Sequence, residues 1–114
     1  MITNKQRGNE AEDLAATFLE NLGFKLLEKN YRYKRSEIDL IMSNDSLMVF
    51  VEVKYRSSTK FGQPEGFVSS NQQTKIIEAA DEYIHQKNWQ GNIRFDIIAI
   101  NLQNEIVHFE DAFY

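Results

Sequence analysis

The chain has no cysteine, one proline, five glycines, one tryptophan and two histidines in 114 residues. Without cysteine there is neither a disulfide framework nor a thiolate metal site. So little proline and glycine excludes a long disordered or collagen-like tract. No apolar run approaches the roughly 20 residues that a membrane-spanning helix needs. No N-terminal stretch reads as an export signal, and with the missing thiols this sets the expectation of a cytoplasmic protein. A net charge of −4 argues against a surface devoted to gripping nucleic acid. It leaves room for an enzyme on nucleic acid, whose site needs its own carboxylates. There is no glycine-rich phosphate loop and no Ser or Cys nucleophile arrangement.

What is present reads as an ordinary globular chain, 42% hydrophobic and 26% charged, long enough for one domain over residues 1–114. Thr3-x-x-Gln6 can act as a capping box. Ala11, Leu14, Ala15, Phe18, Leu19 and Leu22 follow at helical spacing, and Gly23 stops the helix. Residues 24–33 read as a strand, with a bulge or turn at 28–30. Residues 38–42 and 47–54 form two strands of a hairpin through 43–46. Residues 55–69 are polar and aperiodic, a loop long enough to suggest function. Ser70-x-x-Gln73 can cap a second helix to about residue 87, and residues 93–101 and 105–109 close the chain as a second hairpin. The fold class expected is α/β: a mixed sheet flanked by two helices.

The first hairpin carries the chemistry. With an even-numbered loop, Met42 faces Leu47, Asp39 faces Phe50 and Glu37 faces Glu52. Glu37, Asp39, Glu52 and Lys54 then share one face, against a wholly apolar face of Ile38, Leu40, Met42, Leu47, Val49, Val51 and Val53. Asp39 and Glu52, as diagonal neighbours, can grip one hard cation. Mg²⁺ and Mn²⁺ suit such oxygen ligands, and the Val53 carbonyl can add another. Lys54 beside the ion can orient a water and stabilise charge on a phosphate. Glu12, at the margin of the first helix's apolar stripe, can reach the same end of the sheet and bind the metal directly or through water. Gly8, one turn earlier, would allow close approach there.

Asp39, twelve intervening residues and Glu52-Val53-Lys54 resemble the Asp…Glu-x-Lys motif of the restriction-endonuclease-like superfamily, which includes archaeal Holliday-junction resolvases. More closely, four segments resemble a small bacterial family of YraN-like proteins. They are Gly8-x-x-Ala11-Glu12-x-x-Ala15, residues 36–41, residues 49–56 and Arg94-Phe95-Asp96; Ala11 and Ser36 stand where that pattern has glycine. The resemblance implies a restriction-endonuclease-like fold with Asp39 and Glu52 as metal ligands, Lys54 as the catalytic lysine and Glu12 as the helix acid.

Arg32, Arg35, Arg56 and Lys60 can line a phosphate-binding rim, with Tyr31, Tyr33 and Tyr55 available to stack on bases. Lys75 stands near the start of the second helix, where the amides welcome a phosphate. Glu37 either supports the metal ligands or pairs with Arg56. His85 and His108 read as isolated, Trp89 as a packing residue and Asp96 as one half of a structural ion pair. The function expected is Mg²⁺- or Mn²⁺-dependent hydrolysis of phosphodiester bonds in DNA, with branched or damaged structures as candidate substrates. DNA is favoured over RNA as partner, with a homodimer or a protein partner enlarging a small binding surface. The rival readings are a non-catalytic nucleic-acid-binding module and a protein-interaction domain.

Overall fold

Helix α1 (Asn4–Asn21) begins where the sequence says it should. Thr3 accepts from the Gln6 N–H, and Gln6 accepts from the Thr3 N–H, a complete capping box. Gly23, at φ 99°, takes the left-handed conformation that ends the helix. A computed structural model describes residues 3–56 and 68–114; the expected loop therefore lies largely outside the described residues, and Lys60 with it. After α1 come β1 (Lys25–Tyr33), β2 (Ser36–Ser43), β3 (Leu47–Tyr55), α2 (Ser70–Lys87), β4 (Asn92–Ile100) and β5 (Ile106–Phe109).

The strands form one sheet in the order β1-β2-β3-β4-β5. Only β3 and β4 run parallel, and α2 lies in the crossover between them that parallel pairing requires. Alternation along β3 puts its two faces under different helices. Met48 and Phe50 join Ile76, Ala79, Ala80 and Tyr83 of α2; Val49 and Val51 join Ala11, Ala15 and Leu19 of α1. The sheet is thus sandwiched between the helices, an α/β fold with a mixed sheet.

Four details differ from the pattern-based expectation. The β2–β3 hairpin pairs Leu40 with Val51 and Met42 with Val49, two residues out of the expected register but of the same parity. The loop closes on Asp45 and Ser46 because the Asn44 carboxamide oxygen accepts the N–H groups of Ser46 and Leu47. Second, Ile38 does not stay with Leu40 and Met42 but packs in the α2 cluster. Strict alternation is broken at Asp39, which faces Asn30 between the pairs Lys29↔Leu40 and Tyr31↔Ile38, and Asn30 has φ 55°. The bulge expected nearby is present, as a register shift between Leu26 and Glu28. Third, Leu14 and Leu22 are exposed, so the stripe of α1 runs through Ala11, Ala15, Ala16 and Leu19 instead. Fourth, Ser69, not Ser70, caps α2, accepting from the Gln72 N–H.

Candidate active site

The ladder between β2 and β3 stops at Leu40↔Val51. One step further the same register sets Asp39 opposite Glu52, a closer pairing than the diagonal one expected. Here the Asp39 side chain takes over from the backbone: its Oδ2 accepts the Val53 N–H at 2.8 Å. That bond fixes the Asp39 carboxyl at the point where the strands part.

Glu52 is 7% exposed, a depth at which a carboxylate without compensation is costly. Its Oε2 accepts from Gln72 Nε2 at 3.1 Å, and Lys54 Nζ stands 3.9 Å from its Oε1. Burial pushes the Glu52 carboxyl far up, to about 9, from an ordinary value of 4.5. A hydrogen bond shared with Asp39 and that residue's charge add to the effect, while Lys54 opposes it and Glu37 adds a little more. Burial and Asp39 together therefore favour the protonated form of Glu52. Glu12 is perturbed in the same direction, first by burial and then by Asp39, with Asn30 and Lys29 opposing. Its Oε1 is buried with no hydrogen-bond partner among the described residues. Asp39 is the acid that both others feel.

This geometry fits a divalent cation in part. Asp39 and Glu52 supply a hard oxygen pair, enough for Mg²⁺, which takes one or two carboxylates and keeps several waters. Among the described residues no set of three or more His, Cys, Asp or Glu side chains is placed to hold an ion between them. Glu12 therefore does not complete a three-acid cage, and its unpartnered oxygen suits contact through water. Gly8 is not a point of close approach, since no described atom lies within 4 Å of where its Cβ would stand.

The surrounding charges are arranged differently from expectation. Glu37 pairs with Arg32, its cross-strand partner, at 3.2 Å. Arg35 is exposed in the β1–β2 turn, Arg56 is half-buried just past β3, and Lys75 is exposed on α2. Tyr31 and Tyr33 pack against the α2 cluster, Tyr31 edge-on to Tyr83, while Tyr55 packs on the α1 side. Trp89 is a packing residue, its indole N–H donating to the Asn92 carbonyl.

His108 is not isolated. Its Nε2 lies 2.7 Å from Asp96, which is fully buried. Asp96 also receives two bonds from Arg94, each at 2.8 Å, and the Asp111 N–H. Burial alone would push this carboxyl up, but the bonds from His108, Arg94 and Asp111 outweigh it and hold the group below its usual range. The cluster ties β5 and the C-terminal segment to β4. The expected ion pair is there, with a histidine added.

Gln72 had no signal of its own in the sequence. Ser69-x-x-Gln72 has the form of a capping box, but its glutamine amide is directed to Glu52 rather than back to the cap. Asn30 was visible only as part of a bulge, yet its left-handed backbone breaks the alternation at Asp39, and its side chain opposes the rise of the Glu12 carboxyl.

Among solved structures, an SfsA from Pyrococcus furiosus, determined in complex with Ca²⁺, is 14% identical with a TM-score of 0.36. The match covers 93% of this chain and 63% of that one. Among curated proteins, a UPF0102 protein from Cytophaga hutchinsonii is 46% identical over 107 residues, 94% of this chain and 95% of the relative. Another from a Sulfurihydrogenibium species is 43% identical, over 95% of this chain and 94% of its own. The model of "Uncharacterised protein family UPF0102" matches residues 11–100, so the chain belongs to the UPF0102 family, the YraN-like proteins.

Proposed function

We propose that the protein is a Mg²⁺- or Mn²⁺-dependent nuclease that hydrolyses phosphodiester bonds in DNA. The observation that carries this reading is the Asp39–Glu52 pair, a buried carboxyl set opposite a second acid where the β2–β3 ladder ends, with Lys54 3.9 Å from Glu52. Glu52, buried beside a second acid, ionises more readily when a cation takes the place of its proton. The Asp…Glu-x-Lys pattern, which resembles that of the restriction-endonuclease-like superfamily, supports it.

In this reading Asp39 and Glu52 would hold the ion, the Val53 carbonyl would be available as a further ligand and Glu12 would reach it through water. The cation would offset phosphate charge and polarise a phosphoryl oxygen. Asp39, fixed by the Val53 N–H, holds its carboxyl steady. Gln72 holds one oxygen of Glu52 and leaves the other toward Lys54. Lys54 donates to the attacking water or to the phosphate as charge develops. Arg32, Arg35, Arg56, Lys60 and Lys75 supply phosphate contacts, with Glu37 holding Arg32. No helix among the described residues is long and apolar enough to cross a membrane.

The test is a cleavage screen over flaps, forks, junctions, single strands and RNA with Mn²⁺. Cleavage of DNA that Lys54→Ala abolishes while binding persists is the expected result. Binding without cleavage on every substrate would replace the nuclease reading by a nucleic-acid-binding module; neither binding nor cleavage would point to a protein-interaction domain. A homodimer would enlarge the DNA-binding surface, and light scattering that shows only a monomer with and without DNA would remove it.

A further inference from the structure

We propose a second site, a pocket for one unpaired nucleobase, formed around Tyr55 at the carboxyl ends of the parallel strands β3 and β4. It rests on the nuclease reading for its place in a reaction, though not for its existence. A cavity of about 240 Å³ opens there between α1 and the β4–β5 turn. That is below the roughly 300–1,000 Å³ of pockets for drug-sized ligands, so it suits a single ring system. Ligands in open α/β sheets favour this end of the strands.

The lining is built for a flat ring with polar edges. Ala11 and Ile100, both buried, make an apolar floor. Leu14 and Leu102 stand on the walls, 37% and 49% exposed, two of only four exposed large apolar side chains among the described residues. Their concentration at one concavity marks surface that a partner would cover. The Arg7 guanidinium lies over the Tyr55 ring, 5.9 Å from its centre, a cation–π contact that covers one ring face and leaves the other face and the guanidinium plane for stacking. Glu10 and Asn104 complete the rim. None of the side chains of Arg7, Glu10 and Asn104 forms a hydrogen bond or ion pair among the described residues, so donor and acceptor groups stand open. One cation and one anion cancel, which disfavours phosphate and favours a neutral ring carrying N–H donors and carbonyl acceptors.

The pocket adjoins the candidate active site through the chain itself. Tyr55 follows Lys54, and Ala11 precedes Glu12, with consecutive Cα atoms about 3.8 Å apart. Alternation sends Lys54 to the α2 side and Tyr55 to the α1 side. A nucleic-acid strand crossing this end of the sheet, its scissile phosphate by Lys54, would present a neighbouring base to Tyr55 around the carboxyl end of β3. A paired base cannot turn in without leaving its duplex. The substrate class assigned is therefore DNA with an unpaired nucleotide beside the cut.

Anisotropy with a labelled short single strand, in chelator to prevent cleavage, tests this. The strand is used intact and with its bases removed at successive single positions. Base–aromatic stacking predicts about 5- to 150-fold weaker binding by Tyr55→Leu, recovery in Tyr55→Phe, and little effect of Tyr55→Leu on the strand that lacks the bound base. A duplex of the same sequence should bind Tyr55→Leu and wild type alike. Equal losses on intact and base-free strands, or none, would overturn the pocket. Cleavage with Mn²⁺, measured separately, tests the nuclease reading: base-dependent binding without cleavage keeps the pocket and removes the nuclease. Cleavage that ignores every missing base and Tyr55→Leu removes only the pocket.

Discussion

Replacing Glu52 by Gln should make the metal-free protein more stable as pH rises, while removing its capacity for a cation. The glutamine is nearly isosteric. Its carbonyl oxygen can still accept from Gln72, and its amide can donate to Asp39, which the ionised glutamate cannot do. In the native protein burial and Asp39 hold the Glu52 carboxyl at about 9 against an ordinary 4.5, so the folded chain keeps a proton that the unfolded chain releases. The sign follows directly. A raised folded pKa contributes stability fully present below the unfolded value and lost as pH climbs through the folded value. For one proton the loss is ~1.4 kcal/mol per pH unit across that window. Between about pH 5.5 and pH 7.5 it reaches at most ~3 kcal/mol, a large share of a small domain's stability. Urea unfolding with chelator present, at those two pH values, measures it. Wild type should lose stability relative to Glu52→Gln over the interval; two sets of curves that move in parallel would refute the linkage of Glu52 to folding.

Gln72→Leu should leave the fold intact, because Gln72 is only partly buried, yet weaken Mn²⁺ binding about 10-fold or more, as loss of a group that orients a ligand does; calorimetry checks it, and unchanged affinity would demote Gln72 to a bystander. Asp96→Ala leaves Arg94 and His108 facing an empty, buried place and should cost about 3–5 kcal/mol in chemical denaturation. In whatever fraction remains folded, Mn²⁺ affinity should be unchanged, since Asp96 belongs to the clasp between β4, β5 and the C-terminal segment.

The sequence carries the architecture plainly where physics is local. The Thr3–Gln6 cap, the Gly23 stop and the strand over residues 47–54 each rest on signals within a few residues, and each is realised. The hairpin's parity was legible because an odd slip would mix the acids and Lys54 with the apolar face; its exact register was not, because the Asn44 side chain moves the turn to Asp45 and Ser46. The broken alternation at Asp39 depends on a left-handed Asn30 in another strand, which no pattern in residues 36–43 announces. The same holds at the candidate site. Asp39, Glu52 and Lys54 are marked by acids set among apolar neighbours. Gln72 and His108 acquire their partners only through tertiary packing, from 20 and 12 residues away.

A divalent cation bound between Asp39 and Glu52 should exchange with the proton that Glu52 holds. Isothermal titration of Mn²⁺ into the protein near neutral pH, in two buffers of different ionisation heat, measures that exchange. One ion should bind with release of about one proton, and both binding and release should vanish in Asp39→Asn and Glu52→Gln. Absence of binding, or binding that releases no proton and survives both substitutions, would contradict the account.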